Sequence, residues 1–368
     1  MDFEIAFSPR ARKSPYFDRT VAAGVKAFSI YNHTYFPVSY GSMETEYWRL
    51  HDAVAVWDVS CQRQIELAGP DADKLTQAVC TRDMRDTVMG QGRYTAMCDH
   101  DGRLLNDPLV LKVDENRWWI SIADSDMLFW IRAIRAERGL DATVTELEVA
   151  PLAVQGRHAE DTLADMLGEW VRDIRFFRFT ETEHEGIPFW IGRAGYSGVD
   201  GFELYLTDPS KGGDLWDRVW AAGAPYDIGP GTPNHMERVE SGFISIRTET
   251  LDDSDPFECR LGRYVSADPA LDYIGAEALA AKRSAGLTRE LVGLMVDGPR
   301  RLPNTTPLPV TIKEETVGQI RTLVWSPQRD SMIALAQIDV PHNELGTKMS
   351  VDVDGGVVGA MVTEVPFI

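Results

Sequence analysis

Few side chains in this sequence combine a reactive type with a telling spacing. Glu203 closes the run Gly195-Tyr196-Ser197-Gly198-Val199-Asp200-Gly201-Phe202-Glu203, and its neighbours Phe202 and Leu204 are apolar. Taken alone, that pattern reads as a strand carrying an exposed acid. Asn106-Asp107 sets an amide beside a carboxylate. An amide cannot serve as a general base near neutral pH, whereas a carboxylate can. Arg238 and Glu240 stand two apart, so on a helix they would not share a face, and either reads equally as a surface charge. Gly195-Tyr196-Ser197-Gly198 has the serine of a nucleophile elbow without its second-glycine spacing and reads as a tight turn. No Gly-x-Gly-x-x-Gly follows an N-terminal strand and no Gly-Lys-Ser/Thr phosphate loop occurs. The cysteines (Cys61, Cys80, Cys98, Cys259) and the histidines lack ligand spacing, so no metal is expected. Asp252-Asp253-Ser254-Asp255 lacks the glycine and distal glutamate of a calcium loop and reads as a solvated acidic loop.

The chain has 368 residues, 37 Lys plus Arg and 57 Asp plus Glu, for a net charge of −20. That excess of acid argues against nucleic acid and anionic membrane surfaces as partners. It leaves room for an anionic ligand held by a local basic cluster. The N-terminus shows neither a signal peptide nor an apolar run able to span a bilayer, which points to the cytoplasm and to reduced thiols.

Periodicity then supplies the elements. Residues 1–20 read as an extended arm. Helices are expected at Glu44–His51, after Gly69-Pro70-Asp71 toward Cys80, at a segment capped by Asp124, at His158–Leu167 and around Leu215–Trp220. Strands are expected at Gln64–Leu67, Tyr94–Met97, Leu109–Val113, Trp118–Ile122, Leu152–Val154, Ile174–Phe179, Phe189–Ile191 and Phe202–Leu206. From about residue 289 only short strands remain, at Leu291–Val296, Leu308–Ile312, Val317–Val324, Met332–Ile338, Met349–Val353 and Val357–Val362. Their even spacing predicts a small antiparallel barrel. The domains expected are 1–288, two α+β units, and 289–368, the barrel.

Phe36-Pro37-Val38-Ser39-Tyr40-Gly41-Ser42, Val56-Trp57-Asp58-Val59-Ser60, Gly102-Arg103-Leu104-Leu105-Asn106-Asp107, Ala153-Val154-Gln155-Gly156, the run ending in Glu203 and Arg238-Val239-Glu240-Ser241-Gly242 follow one another in order. Together they resemble the folate-dependent aminomethyltransferase family, whose best-known member is the T-protein of the glycine cleavage system. Ala22–Ala27 with Tyr31-Asn32-His33, Val171–Arg178 and Leu105-Asn106-Asp107-Pro108 are similar to the family's dimethylsulfoniopropionate demethylase branch. The resemblance implies an α+β fold of two intertwined subdomains around a central folate site, followed by the C-terminal antiparallel β-barrel. It also implies tetrahydrofolate as cofactor and a small-molecule methyl donor as partner, and it leaves the oligomeric state open.

Carried over residue by residue, the resemblance assigns Glu203 to the pterin, whose N–H groups a carboxylate accepts in one plane. It places Tyr94 and Arg238 near the folate. Where the aminomethyl-transferring members have an Asp-Asp pair, this chain has Asn106-Asp107, which are the catalytic candidates. A methyl on a sulfonium or quaternary ammonium leaves a neutral group behind and needs less acid assistance, so Asn106 favours methyl transfer and argues against a lipoyl carrier protein as partner. The alternative is that Asp107 takes over. A cationic donor calls for aromatic faces, and Tyr31, Tyr196 and Trp190 are the chosen candidates beside Tyr35 and Trp57. The demethylase branch shows Gly-Trp-Ser-Lys where this chain has Gly195-Tyr196-Ser197-Gly198, so the donor extends to sulfonium, betaine or methoxy compounds. Cys61 stands where the T-protein has a histidine and reads as structural. The rival readings are a glycine-cleavage-type aminomethyltransferase and a non-catalytic folate-binding protein.

Overall fold

The structure, a computed structural model, describes residues 7–368, and residues 1–6 of the expected arm lie outside the described residues. In chain order, α1 (Phe17–Ala22) precedes β1 (Ala27–Tyr31), β2 (Thr34–Ser39), α2 (Met43–Asp52), β3 (Ala55–Asp58), β4 (Gln64–Ala68) and α3 (Ala72–Val79). Then come β5 (Gly92–Tyr94), β6 (Met97–Cys98), β7 (Leu104–Asn106), β8 (Leu109–Asp114), β9 (Arg117–Ser121), α4 (Met127–Glu137) and β10 (Thr143–Leu147). β11 (Ala150–Gln155), α5 (Ala159–Leu167), β12 (Phe179–His184), β13 (Ile187–Gly192), β14 (Gly201–Leu206), α6 (Gly212–Gly223), β15 (Gly229–Pro230) and α7 (His235–Glu240) follow. α8 (Ala276–Ala285) leads into β16 (Arg289–Val296), β17 (Leu308–Ile312), β18 (Glu315–Ser326), β19 (Ser331–Asp339), β20 (Lys348–Val353) and β21 (Gly356–Thr363).

The chain divides into two compact units that alternate along the sequence. The first holds the residues up to Thr76, Arg85–Tyr94 and Pro108–Asn234; the second holds Gln77–Met84, Thr95–Asp107 and His235–Ile368. The 288/289 division expected from the sequence falls inside the second unit. Two sheets build the first unit, a five-stranded one in the order β10-β4-β9-β8-β5 and a six-stranded one in the order β12-β13-β14-β11-β3-β15. The alternation in β14 explains the layering. Phe202, Leu204 and Leu206 join Leu152 and Val154 of β11 in a core closed by Leu163 of α5 and Leu215, Trp216 and Val219 of α6. Each such buried side chain contributes roughly 1.5–3 kcal/mol. Glu203 and Tyr205 are thereby left on the other face. In the second unit, the six predicted strands close into a barrel in the order β16-β19-β18-β17-β20-β21, filled by residues such as Val292, Leu294, Ile320, Ala334 and Ile338.

Four local expectations are corrected. The described part of the arm is not extended to its end: the Arg12 backbone bonds to His33 and Tyr35, Tyr16 is fully buried, and α1 begins at Phe17. Asp124 does not cap α4; its Oδ1 accepts from the Asn32 backbone N–H at 2.8 Å, and Asp126 occupies the cap position. Residues 174–178 form no strand, because Phe177 takes a left-handed φ of 54° and regular pairing starts only at Phe179. The segment Asp252–Asp255 is not simply solvated: Ser254 and Asp255 are buried, Asp255 receives Lys282 Nζ at 3.2 Å, and Asp253 pairs with Arg289 at 2.7 Å.

Candidate active site

Glu203 is only 6 % exposed. Its cross-strand neighbours are Gly192 on β13 and Ala153 on β11, so small residues flank the carboxylate on both sides. The Phe179 ring lies over Gly192, where a Cβ would overlap it. One step along the strand, Trp190 stands opposite Tyr205 and meets Trp119 of the other sheet edge-on at 5.7 Å. Tyr205 Oη donates to Glu203 Oε2 at 2.6 Å. Burial pushes the Glu203 carboxyl up from the usual carboxylate range, and that hydrogen bond opposes the rise. Among the described residues, no cationic side chain acts on it. A buried carboxylate held by a single phenol needs further donors. A reduced pterin, with its amino and ring N–H groups, supplies donors of that kind, so the residues present fit the folate expected from the sequence.

Tyr94 ends β5 at the edge of the five-stranded sheet. Gly92, two residues before it, faces the Phe179 ring. Alternation therefore turns Tyr94 to the same side, toward the space between the sheets that Phe179, Trp119 and Tyr205 line. Trp190 is part of this wall, packed on Trp119 rather than standing free.

The loop carrying Tyr196 is fixed by a residue that sequence reasoning quoted without giving it a role. The Gln155 amide is fully buried between Gly195 and Gly201, where a Cβ at either glycine would overlap it. Gln155 Nε2 donates to Ala194 O at 3.0 Å and Phe202 O at 3.2 Å, and its Oε1 accepts from Ser197 Oγ at 2.7 Å. Arg193 closes the same loop through Asp200 at 2.7 Å. The shared glycines and glutamine of the two motifs thus answer one packing requirement. Tyr196 itself is half-buried on this loop.

Tyr31 lies in a separate β1–β2 hairpin, its ring 5.9 Å from Phe36. The turn residues Asn32 and His33 both have positive φ, 45° and 56°, as a type I′ hairpin turn requires. Asn32 Nδ2 donates to Cys61 O at 3.0 Å and Ile122 O at 3.2 Å, pinning the hairpin within the first unit. Tyr35 and Trp57 are core residues, 3 % and 1 % exposed. Burial, reinforced by the Asp58 charge, pushes the Cys61 thiol far up, so no thiolate forms there.

The remaining candidates belong to the second unit. Asn106 is fully buried at the end of β7, paired with Met97, and the half-buried Asp107 follows it. Arg238 is 2 % exposed. It donates to both oxygens of the fully buried Glu249 at 3.1 Å, to Phe243 O at 3.0 Å and to Thr322 Oγ1 on β18 at 3.3 Å. These contacts tie α7 to the barrel. Glu240 does the same through the Ser326 hydroxyl. Among the described residues, no group of His, Cys, Asp and Glu side chains is arranged to hold a metal ion, and no helix is long and apolar enough to cross a membrane.

Comparison with known proteins defines the class. The GCVT N-terminal domain profile matches residues 16–269, and that of the glycine cleavage T-protein C-terminal barrel domain matches residues 289–368. The chain belongs to the GCVT family and is a tetrahydrofolate-dependent transferase. Among its relatives, the dimethylsulfoniopropionate demethylase DmdA of Ruegeria pomeroyi is 36% identical over 97% of each chain. Aminomethyltransferases of Symbiobacterium thermophilum and Bacillus cereus are 32% and 31% identical over 90% and 97% of this chain, and 90% and 98% of their own. The crystal structure of the glycine cleavage system aminomethyltransferase T from Bartonella henselae superposes with a TM-score of 0.87 at 22% identity, covering 97% of this chain and 98% of that one, which establishes the shared fold.

Proposed function

We propose that this enzyme moves an intact methyl group from a small methylated donor, a dimethylsulfoniopropionate-like sulfonium or a betaine, to N5 of tetrahydrofolate. Asn106 carries the reading. It is buried and neutral at the position where the aminomethyl-transferring members, by the motif resemblance, hold an aspartate. The 36% identity to the demethylase of Ruegeria pomeroyi over nearly the whole chain supports the same choice. Tetrahydrofolate supplies the attacking nitrogen: the donor's C–S or C–N bond breaks as the N5–C bond forms, the leaving group keeps the electron pair, and the N5 proton passes to solvent. The protein's part is alignment at about 3–3.5 Å. Glu203 accepts the pterin N–H groups with Tyr94 beside the ring system, and Tyr31, Tyr196 and Trp190 offer aromatic faces to the positive charge. The competing reading, aminomethyl transfer with a lipoyl carrier protein, draws on Asp107 next to Asn106. A trideuteromethyl donor separates the two. Mass spectrometry should find all three deuterons in 5-methyltetrahydrofolate. A methylene product, or ammonia release dependent on a lipoyl partner, would sink methyl transfer.

A further inference from the structure

We infer that Tyr205 is a positioning residue for Glu203, the last member of a hydrogen-bond relay that starts on the neighbouring sheet at Gln64 and passes through Ser121. The inference rests on the reading of Glu203 as the pterin carboxylate.

The direction of every bond in the relay is determined by chemistry. Gln64 is 1 % exposed, and its Nε2 donates to Gln62 O at 2.9 Å. A carbonyl oxygen only accepts, so that contact fixes which end of the amide is nitrogen. The same Nε2 donates to Ser121 Oγ at 2.9 Å, across the β4–β9 pair in which Gln64 and Ser121 are register partners. With a lone pair engaged, the Ser121 hydroxyl has its hydrogen left to donate, and Tyr205, whose own hydrogen goes to Glu203, is the group whose ionisation Ser121 eases. Tyr205 in turn has its hydrogen directed to Glu203 Oε2 at 2.6 Å. The relay thus links β4 and β9 of the five-stranded sheet to β14 of the six-stranded one within the first unit.

The consequence for Glu203 is specific. Oε2 always meets a donor, so Oε1 is the oxygen presented to a ligand, and the carboxyl rotamer is held by a phenol that Trp190 and Phe179 confine. The other side chains packed on this face, Trp57, Ala153, Phe179 and Trp119, do not titrate, and among the described residues no charged group acts on the carboxyl. The donation from Tyr205 opposes the upward push of burial. Without it the carboxyl rises further. A ligand that brings N–H donors needs the ionised form, so its affinity falls as pH drops through that value.

Tetrahydrofolate binding to the full-length enzyme is measured by calorimetry from about pH 5 to about pH 8, for the wild type, Tyr205→Phe and Ser121→Ala. The carboxyl C=O infrared band of the ligand-free proteins is followed over the same range. Both variants should move the acid limb of binding and the infrared midpoint to higher pH, Tyr205→Phe the further, with about 3- to 10-fold weaker binding at neutral pH. A packing role alone would leave the infrared midpoint in place, and an unmoved midpoint in both variants overturns the relay. If Tyr205→Phe fails to fold, Ser121→Ala decides on the same criterion. Glu203→Gln separates the two levels: wild-type affinity in that variant refutes the pterin role itself, whereas lost affinity there with unmoved midpoints in the relay variants refutes only the positioning.

Discussion

At the scale of single residues, Glu203 carries a conflict between stability and binding. Its folded carboxyl titrates above the usual range because it is buried. A group raised in this way stabilises the fold fully below the unfolded value and loses that contribution as pH rises through the folded one. In the ligand-free protein the ionised form of this buried carboxyl is therefore unfavourable. Glu203→Gln keeps an acceptor for Tyr205 and removes the charge. The variant should be more stable by about 1 kcal/mol in urea titration at neutral pH, yet bind tetrahydrofolate roughly 10- to 100-fold more weakly. Equal stability at neutral pH, or intact binding, would contradict this account. The sequence made Glu203 recognisable only through its motif, since an acid between Phe202 and Leu204 is the common pattern of a solvent-facing strand. Tyr205 escaped notice for the same reason, as nothing in a strand sequence announces that residues two apart share a hydrogen bond. The ion pair of Arg238 was equally hidden, because its partner Glu249 is eleven residues away and its other anchor, Thr322, is on the barrel.

At the scale of elements, that ion pair becomes a prediction about how α7 is held. Arg238 and Glu249 form a bidentate pair, 2 % and 0 % exposed. Removing one partner strands the other charge in the interior, which costs about 3–5 kcal/mol, whereas replacing both with apolar residues is far milder. Arg238→Ala should lower the urea midpoint sharply, and Arg238→Met combined with Glu249→Leu should recover most of the loss. Tetrahydrofolate affinity of the double variant should stay near wild type. A folded double variant that has lost folate binding would return Arg238 to the ligand. The regular elements were readable because their partners follow from period alone: every predicted barrel strand is present, and β14 alternates as its apolar residues require. The N-terminal segment was not, because Arg12, Ser14 and Tyr16 look solvent-bound in sequence and are satisfied by distant partners, the backbone of His33, the Asp58 carboxylate and Ala150 O. Side chains that satisfy the backbone of remote loops, as Gln155 and Asn32 do, leave no periodic trace.

At the scale of the whole molecule, the net charge of −20 bears on how its two substrates arrive. Tetrahydrofolate is an anion through its glutamate carboxylates, so the overall field of the protein opposes its approach, while a sulfonium or betaine that also bears a carboxylate has no net charge and is little affected. Fields of this kind act over the Debye length, about 30 Å at 0.01 M salt and about 8 Å at 0.15 M. Raising the salt over that interval should speed tetrahydrofolate association by a few-fold, read by stopped-flow quenching of the protein's tryptophan emission. The donor's kcat/KM, measured at saturating tetrahydrofolate, should change little over the same range. A fall in the folate on-rate with salt would mean that a local basic cluster outweighs the global charge at the point of entry. A steep fall in the donor's kcat/KM with salt would instead mark a donor with net positive charge, drawn in by the acidic surface, and would replace the zwitterion by a simple cation as the methyl source.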